Sequence, residues 1–370
     1  MPRLLIFHRT IAPYRIDFFN DLSLAFETRV CLQYKNLLSQ KFDYERIASR
    51  FMFTPVYLKE WGRIRGRVFN RGYWSQLDEF RPDIVMVSEF GLDCLLVLLH
   101  RFIKRRNYRV VSICDDSYNM VAEHNDFSQI HRFMRHLITP RLDELILVEP
   151  KVAEWYMQHY DKGVYFPIIK KEDTACRDYA RLLSKAKETA ISHQLLERNV
   201  VLFVGRLVAL KNVSTLIKAF AHIHMEASLV IVGDGPERAS LEALAKMESV
   251  PVLFTGRLEG DDLLQWYDIA NVFCLPSYQE SFGAVTNEAL LAGCLGLISS
   301  KAGSQCLIHE EKNGYTFAPF DTEDLTQKLD LLLNKCVPPT FETLRPSQMY
   351  IRYEDKIKEL ANLLNALLSR

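Results

Sequence analysis

Short apolar runs alternate along this chain with longer stretches whose apolar positions recur every three or four residues. A buried parallel strand reads as a near-continuous apolar run, and a helix covering a sheet reads as amphipathic. The alternation therefore predicts parallel sheets layered with helices. In the first half the strand candidates are Leu4–Phe7, Thr28–Gln33, Ile84–Ser88, Arg109–Ile113 and Glu144–Val148, with helical stretches such as Ile16–Phe26 and Leu92–Lys104 between them. A polar helical segment of weak apolar character, Asp173–Arg198, reads as a connector. A second series follows, with strands at Val200–Val204, Ser228–Val232, Val252–Thr255, Val272–Pro276 and Gly296–Ser299. Its helices read as Val213–Met225, Pro236–Met247, Asp261–Ala270 and Ala284–Ala292, and Met349–Leu368 forms one last helical stretch. The expected fold is α/β: two Rossmann-like, doubly wound domains, about 1–172 and 173–348, facing a central cleft. Ligands of such sheets bind at the carboxyl ends of the strands, where glycine turns feed helix starts.

Length and composition agree with this picture. The 370 residues exceed one ordinary core, and 48% apolar with 25% charged residues is the balance of a globular protein. Net charge is zero but unevenly spread: residues 1–172 carry 26 Lys and Arg against 21 Asp and Glu, leaving 20 against 25 in the remainder. That polarity is far too small for a nucleic-acid binder, and it suits a basic face meeting an acidic acceptor or an anionic membrane surface. The eight cysteines include no C-x-x-C pair and no metal-ligand spacing, so buried reduced thiols and no metal site are expected. The run Met1–Phe7 is too short for a signal peptide, and no apolar run approaches a membrane span, which makes the cytoplasm the expected location.

The candidate chemistry lies in the strand-end turns of the second half. Val204-Gly205-Arg206-Leu207 ends a strand and Lys211 follows before a helix. Two cations around one turn can clamp a diphosphate, the arginine as a fork and the lysine as a point charge. In Val232-Gly233-Asp234-Gly235-Pro236 the two glycines either let amides approach a ligand or only make the turn. In Pro276-Ser277-Tyr278-Gln279-Glu280-Ser281-Phe282-Gly283, Glu280 stands over a strand end and Glu288 sits inside the helix that follows. Amides near Gly283 would face an anion at the positive helix end, and an ionised carboxylate there suits vicinal ribose hydroxyls. Both acids are equally at home as ordinary helix-start residues. Ser299–Ser304, followed by Glu310 and Asn313-Gly314, offers a further small-residue turn that either completes a phosphate nest or is a plain loop.

Taken in order, G-R-L-x₃-K, V-G-D-G-P, P-S-x₂-E-S-F-G-x₄-E-A-L and G-x₂-G resemble the family-4 retaining glycosyltransferases of the GT-B fold, over about Val200 to Gly314. The resemblance implies that Arg206 and Lys211 bind the donor diphosphate and stabilise the departing nucleotide. It implies that Glu280 lies beside the donor sugar and that Glu288 holds the ribose. Gly205, Gly233, Gly235, Ser281, Phe282 and Gly283 are then donor-site residues, and the final helix, 349–370, crosses back to complete the first domain. The implied reaction is retaining transfer of a sugar from a nucleotide-diphosphate sugar to a glycan or lipid-linked acceptor of envelope polysaccharide synthesis. The nucleotide sugar is co-substrate and no separate cofactor is implied. The absence of a D-x-D triplet fits chemistry without a metal.

The first half departs from that pattern. Where many relatives carry a glycine pair after the first strand, this chain has His8-Arg9-Thr10-Ile11-Ala12-Pro13-Tyr14-Arg15; its Pro-Tyr-Arg loop resembles that of a subset of bacterial members, which makes Arg9, Tyr14 and Arg15 acceptor-side or phosphate-side candidates. Where relatives often show a histidine, this chain has Cys114-Asp115-Asp116-Ser117. Asp115 and Asp116 either bind hydroxyls or cap the next helix. Basic and aromatic residues interleave from Lys59 through Trp74, and Arg101, Lys104, Arg105, Arg106 and Arg109 follow the apolar Leu95–Leu99. Both groups read either as solvated helix faces or as a peripheral membrane surface. Two other functions share the pattern: a nucleotide-sugar-binding relative without transferase activity, and a nucleotide-sugar epimerase. A dehydrogenase does not, since no G-x-G-x-x-G follows the first strand.

Overall fold

The computed structural model describes residues 1–35, 43–64, 67–123 and 128–369. The chain divides into two compact units, one of residues 1–168 with 354–370 and the other of residues 169–353. The second unit therefore begins at Ile169, ahead of the polar segment read as a connector.

The first unit is built on a seven-stranded sheet. Its strands are β1 (Arg3–His8), β2 (Glu27–Leu32), β3 (Val56–Tyr57), β6 (Ile84–Ser88), β7 (Arg109–Cys114), β8 (Glu144–Leu147) and β9 (Val164–Tyr165). A separate antiparallel hairpin, β4 (Lys59–Ile64) and β5 (Arg67–Arg71), lies between β3 and β6 in sequence. The sheet order is β3-β2-β1-β6-β7-β8-β9, all pairs parallel, so the strand order reverses direction between β1 and β6. Ile84–Ser88 is buried at every position, as expected of a strand with helices on both faces. The basic, aromatic stretch around Trp61 is the hairpin and not a helix face; its Arg65 and Gly66 lie outside the described residues.

The second unit carries β10 (Asn199–Val204), β11 (Ala227–Val232), β12 (Val252–Gly256), β13 (Val272–Leu275), β14 (Leu295–Ser299) and β15 (Gly314–Phe317). Their order is β12-β11-β10-β13-β14-β15, again parallel, with the reversal between β10 and β13. The segment 173–198 does more than connect. It forms the helix Glu172–Ser192, whose Ala175, Tyr179, Leu182, Ala186 and Ala190 are buried against this unit. Its small apolar residues bury a narrow stripe, which explains the weak apolar signal. The helix expected to reach Met225 ends at Phe220, because the Asp330 carboxylate accepts from the His224 and Met225 amides at 2.9 and 3.1 Å.

No helix among the described residues is long and apolar enough to cross a membrane. All eight cysteines are free, and burial raises the thiols of Cys31 and Cys294, to about 12 and about 11, which keeps them protonated.

Helix Asp261–Ile269 ends in five consecutive buried residues, Gln265 to Ile269. Among them Asp268 has a carboxylate oxygen with no hydrogen-bond partner among the described residues, and burial pushes its carboxyl up to about 8. The unfolded chain releases this proton near pH 4, while the folded chain keeps it until about pH 8. Stability from this group therefore falls as pH rises through that window. Asp268→Asn should gain on the wild type by up to about 1.4 kcal/mol per pH unit between pH 5 and 8, measured by parallel denaturant titrations.

Candidate active site

In an open α/β sheet the loops on either side of the strand-order reversal diverge and leave a crevice at the carboxyl edge. In the second unit those loops follow β10 and β13. The first holds Gly205, Arg206 and Lys211, and the second runs from Pro276 to Gly283 with Glu280 near its middle.

The two loops are joined there by charge. The Lys211 ammonium contacts a Glu280 carboxylate oxygen, with both side chains about four-fifths buried. Tyr278 N donates to Leu210 O at 2.9 Å alongside. Asn212 fixes the spacing: its side-chain amide donates to Pro276 O at 3.0 Å and to Pro319 O at 2.8 Å, while its Oδ1 accepts from Thr215 Oγ1 at 2.6 Å. Its left-handed φ of 53° suits asparagine better than most side chains. Arg206 is exposed, and no ion pair holds it among the described residues.

The glycines of these turns serve backbone packing. A Cβ on Gly233 would strike Gly205 O, and one on Gly235 would strike Leu207 O. Their amides are already committed, Gly233 N to Gly256 O at 2.8 Å and Gly235 N to the Asp234 carboxylate at 2.7 Å, and Gly205 N bonds Val232 O at 3.0 Å. Of the two roles open to Gly233 and Gly235, turn formation is the one realised, and amide donation to a ligand is corrected. The Phe282 side chain is buried, and its carbonyl accepts from Ser304 N at 2.7 Å. Gly283, at φ 93°, is needed because a Cβ there would lie 2.6 Å from Leu275 Cδ2 and 3.1 Å from Ser304 Oγ. Ser281 is half-buried, with its carbonyl against Gly303. The 276–283 and 299–304 turns are therefore zipped together: Glu280 N donates to Lys301 O at 3.2 Å, and Gly303 N to Glu280 O at 3.0 Å.

The helix after Gly283 spans only Val285–Leu291, and the amides of Thr286 and Glu288 are taken by Gly283 O and Ala284 O. Arg206 and Lys211 bring positive charge to the facing loop. Glu288 is held elsewhere. Its Oε1 takes Lys170 Nζ at 2.5 Å, and its Oε2 accepts from Tyr267 OH at 3.1 Å. In the 299–304 turn Ser300 N donates to Phe317 O, Lys301 N to Ser299 Oγ and Ala302 N to Ser299 O. Asn313 bonds His309 N, Leu307 O and Gln348 O, and Glu310 accepts from Thr316 N at 2.9 Å.

The first unit repeats the arrangement at its own reversal, between β1 and β6. Arg9, after β1, pairs with Glu89, after β6, at 3.3 Å, and Glu89 takes a φ of 54° there. Burial first, then the neighbouring charges Asp115 and Asp116, raise the Glu89 carboxyl, while Arg9 opposes them. Arg15 is buried and pairs with the half-exposed Asp115 at 2.9 Å, and Tyr14 is half-buried beside it. His8 is pulled down to about 4, chiefly by burial and then by Arg15, so it is neutral at pH 7. Asp116 is corrected: it is buried and accepts from Arg135 Nε at 3.0 Å and Tyr156 OH at 2.6 Å, an internal anchor out of reach of a sugar.

Residues 185–340 match the model of the group 1 glycosyl transferases. That stretch is similar to a group 1 glycosyltransferase domain. The chain is 35% identical over 158 residues to the sulfoquinovosyl transferase SQD2 of Arabidopsis thaliana, covering 42% of this chain and 30% of that protein. It is 29% identical over 228 residues to a Campylobacter jejuni alpha-1,4-N-acetyl-D-galactosaminyltransferase, whose name gives a diphospho-undecaprenol-linked glycan as substrate. That match covers 58% of each. The chain thus spans roughly a third to three-fifths of the length of these curated relatives. Among solved structures, HepE of Anabaena in complex with UDP and glucose aligns with TM-score 0.71 at 17% identity, over 99% of this chain and 100% of that one. This likeness shows the fold, GT-B.

Within the matched residues, Asn212, Tyr267, Ser304 and, just before them, Lys170 are contacts that the sequence did not reveal. Only Asn212, an asparagine just ahead of a helix, carried a local signal. The Asp116 anchor makes a separate prediction. Asp116→Ala removes the buried carboxylate that Arg135 and Tyr156 share, and should lower the melting temperature of the first unit. Asp115→Ala, which removes a half-exposed carboxylate where Asp116 is buried, should shift the melt less.

Proposed function

We propose that this protein is a retaining, metal-independent glycosyltransferase. It would move a sugar from a nucleotide-diphosphate donor to a glycan or lipid-linked acceptor in envelope polysaccharide synthesis. The observation that carries the reading is the Lys211–Glu280 pair at the strand-order reversal, inside the stretch similar to a group 1 glycosyltransferase domain, with the exposed Arg206 on the same loop. The UDP and glucose of the HepE complex support a nucleotide-sugar donor, and the undecaprenol-linked substrate of the Campylobacter relative supports a lipid-linked acceptor.

Cleaving the bond from the anomeric carbon to the β-phosphate oxygen leaves negative charge on the phosphate and positive charge on the sugar ring. Charge already aimed at the leaving group lowers that barrier without reorganisation. An ammonium has three donors, so Lys211 can keep Glu280 in place while contacting the diphosphate. Arg206 adds a forked donor. Glu280, fixed by that lysine, faces the sugar as the ring gains positive charge, and Glu288 accepts from the ribose hydroxyls. Arg9, Tyr14, Arg15 and Asp115 serve the acceptor.

The enzyme works at an anionic membrane surface. In the first unit, helix Leu92–Ile103 exposes Leu92, Leu99, Phe102 and Ile103, and Lys104 and Arg105 are exposed just beyond it. Apolar side chains beside cations suit a headgroup layer. Arg101 and Arg109 do not belong to this face, since both pair with Asp143, and Arg106 pairs with Asp78.

A thermal-shift panel of uridine, guanosine and thymidine diphosphate sugars should raise the melting temperature with one base, by about 2.7 kcal/mol at a hundredfold excess over Kd. Arg206→Ala with Lys211→Ala should abolish both that shift and transfer; the free protein should melt lower, because Glu280 loses its partner, but remain folded by circular dichroism. Near-normal turnover of the double variant would refute the clamp. On anionic liposomes the protein should float at low salt and be released by high salt, with Phe102→Ala plus Arg105→Ala lowering the bound fraction several-fold. No flotation at low salt would remove the membrane assignment.

A further inference from the structure

Glu288 lies under a polar strap that the reaction described above does not use. Lys170 is the second residue of the second unit, which starts at Ile169. Its backbone N–H donates to Asn287 Oδ1 at 3.0 Å, and its ammonium reaches Glu288 Oε1 at 2.5 Å. Both side chains of the ion pair are more than four-fifths buried. On the other oxygen Tyr267 OH donates at 3.1 Å, and Tyr179 OH donates to the Glu288 carbonyl at 2.9 Å. Both phenols are fully buried, which drives their pKa values well above the ordinary range and keeps them donors.

We infer that Lys170 is a positioning residue: it fixes the Glu288 carboxylate in the orientation that accepts the two hydroxyls of the donor's ribose. The inference rests on the donor reading of Glu288. An ionised carboxylate has about four acceptor positions. Lys170 and Tyr267 occupy one on each oxygen, which leaves one on each for a vicinal diol. A glutamate on a short helix otherwise samples several rotamers, and a diol that must first order it binds more weakly. The strap also acts through the backbone, because Asn287 takes the Lys170 amide on Oδ1 while its Nδ2 donates to Met349 Sδ at 3.3 Å. The helix carrying Glu288 is thereby tied both to the segment entering the second unit and to the one nearing its exit at Tyr353.

Calorimetric titration tests this with three probes: the ribonucleoside diphosphate picked out by the thermal-shift panel (uridine or guanosine), its analogue lacking the ribose hydroxyls, and inorganic pyrophosphate; selection of thymidine, which has no vicinal diol, would itself overturn the inference. Lys170→Met should weaken the nucleoside diphosphate by about tenfold, leave the deoxygenated analogue and pyrophosphate within twofold, and add nothing in a Glu288→Gln background. Lys170→Gln, which keeps a donor, guards against a Met variant that fails to fold and should lose less. Equal weakening of all three probes, or the same loss with Gln at 288, would overturn the inference, since a purely structural strap gives that result. Unchanged affinity in Lys170→Met while Glu288→Gln weakens the nucleotide would overturn it as well. If the wild type binds the analogue as tightly as the parent, or binds none of the three diphosphates, the donor reading of Glu288 fails first and takes the inference with it.

Discussion

Everything at the candidate site depends on an ion pair formed across a place where the chain cannot hold itself together. β10 and β13 are neighbours in the sheet, yet their following loops run to opposite sides, so no continuous secondary structure joins them at the carboxyl edge. Lys211 and Glu280 supply the link. Neither charge would persist so far from solvent alone, because an unpaired buried ion costs several kcal/mol. The pair is the condition under which both loops can hold cationic and acidic chemistry beside one another. Arg9 and Glu89 repeat the solution with other residues and greater exposure at the reversal of the first unit. One topological problem is thus met twice with one kind of interaction.

The sheet was readable from sequence wherever strands are buried on both faces. Val200–Val204 and Ile84–Ser88 are continuous apolar runs because helices cover them, and no other element produces such a run in so few residues. The two-residue strands Val56–Tyr57 and Val164–Tyr165 were not readable, since their pairing is imposed by neighbours and leaves no period. Gly314–Phe317 was concealed differently: its glycine looks like turn punctuation, but it is required because a Cβ would strike Gly296 O. At the site, the spacing of Arg206, Lys211, Glu280 and Glu288 was visible because a short motif carries it. Their partners were not. Lys170 lies 118 residues from Glu288, and a contact at that separation leaves no trace in a single sequence. Asp115 and Asp116 show the complementary difficulty, two adjacent acids of the same type of which one is half-exposed and the other buried. Only the direction of the chain at the end of β7 separates them.

The corrections share a cause. Gly233 and Gly235 both offered amides to a ligand, and in each the amide is taken within the protein. A tight strand-to-helix turn must satisfy its own backbone groups first. Charge for a ligand then has to come from long side chains that reach past the turn, as Arg206 and Lys211 do.

Asn212 sets the width of the crevice by gripping main-chain oxygens, those of Pro276 and Pro319, and no side chain of either loop. Loop residues other than the paired Lys211 and Glu280 and the packed Gly283 can therefore be exchanged without moving the walls. A scaffold fastened in this way leaves the chemistry of those loops free to drift while the crevice keeps its width.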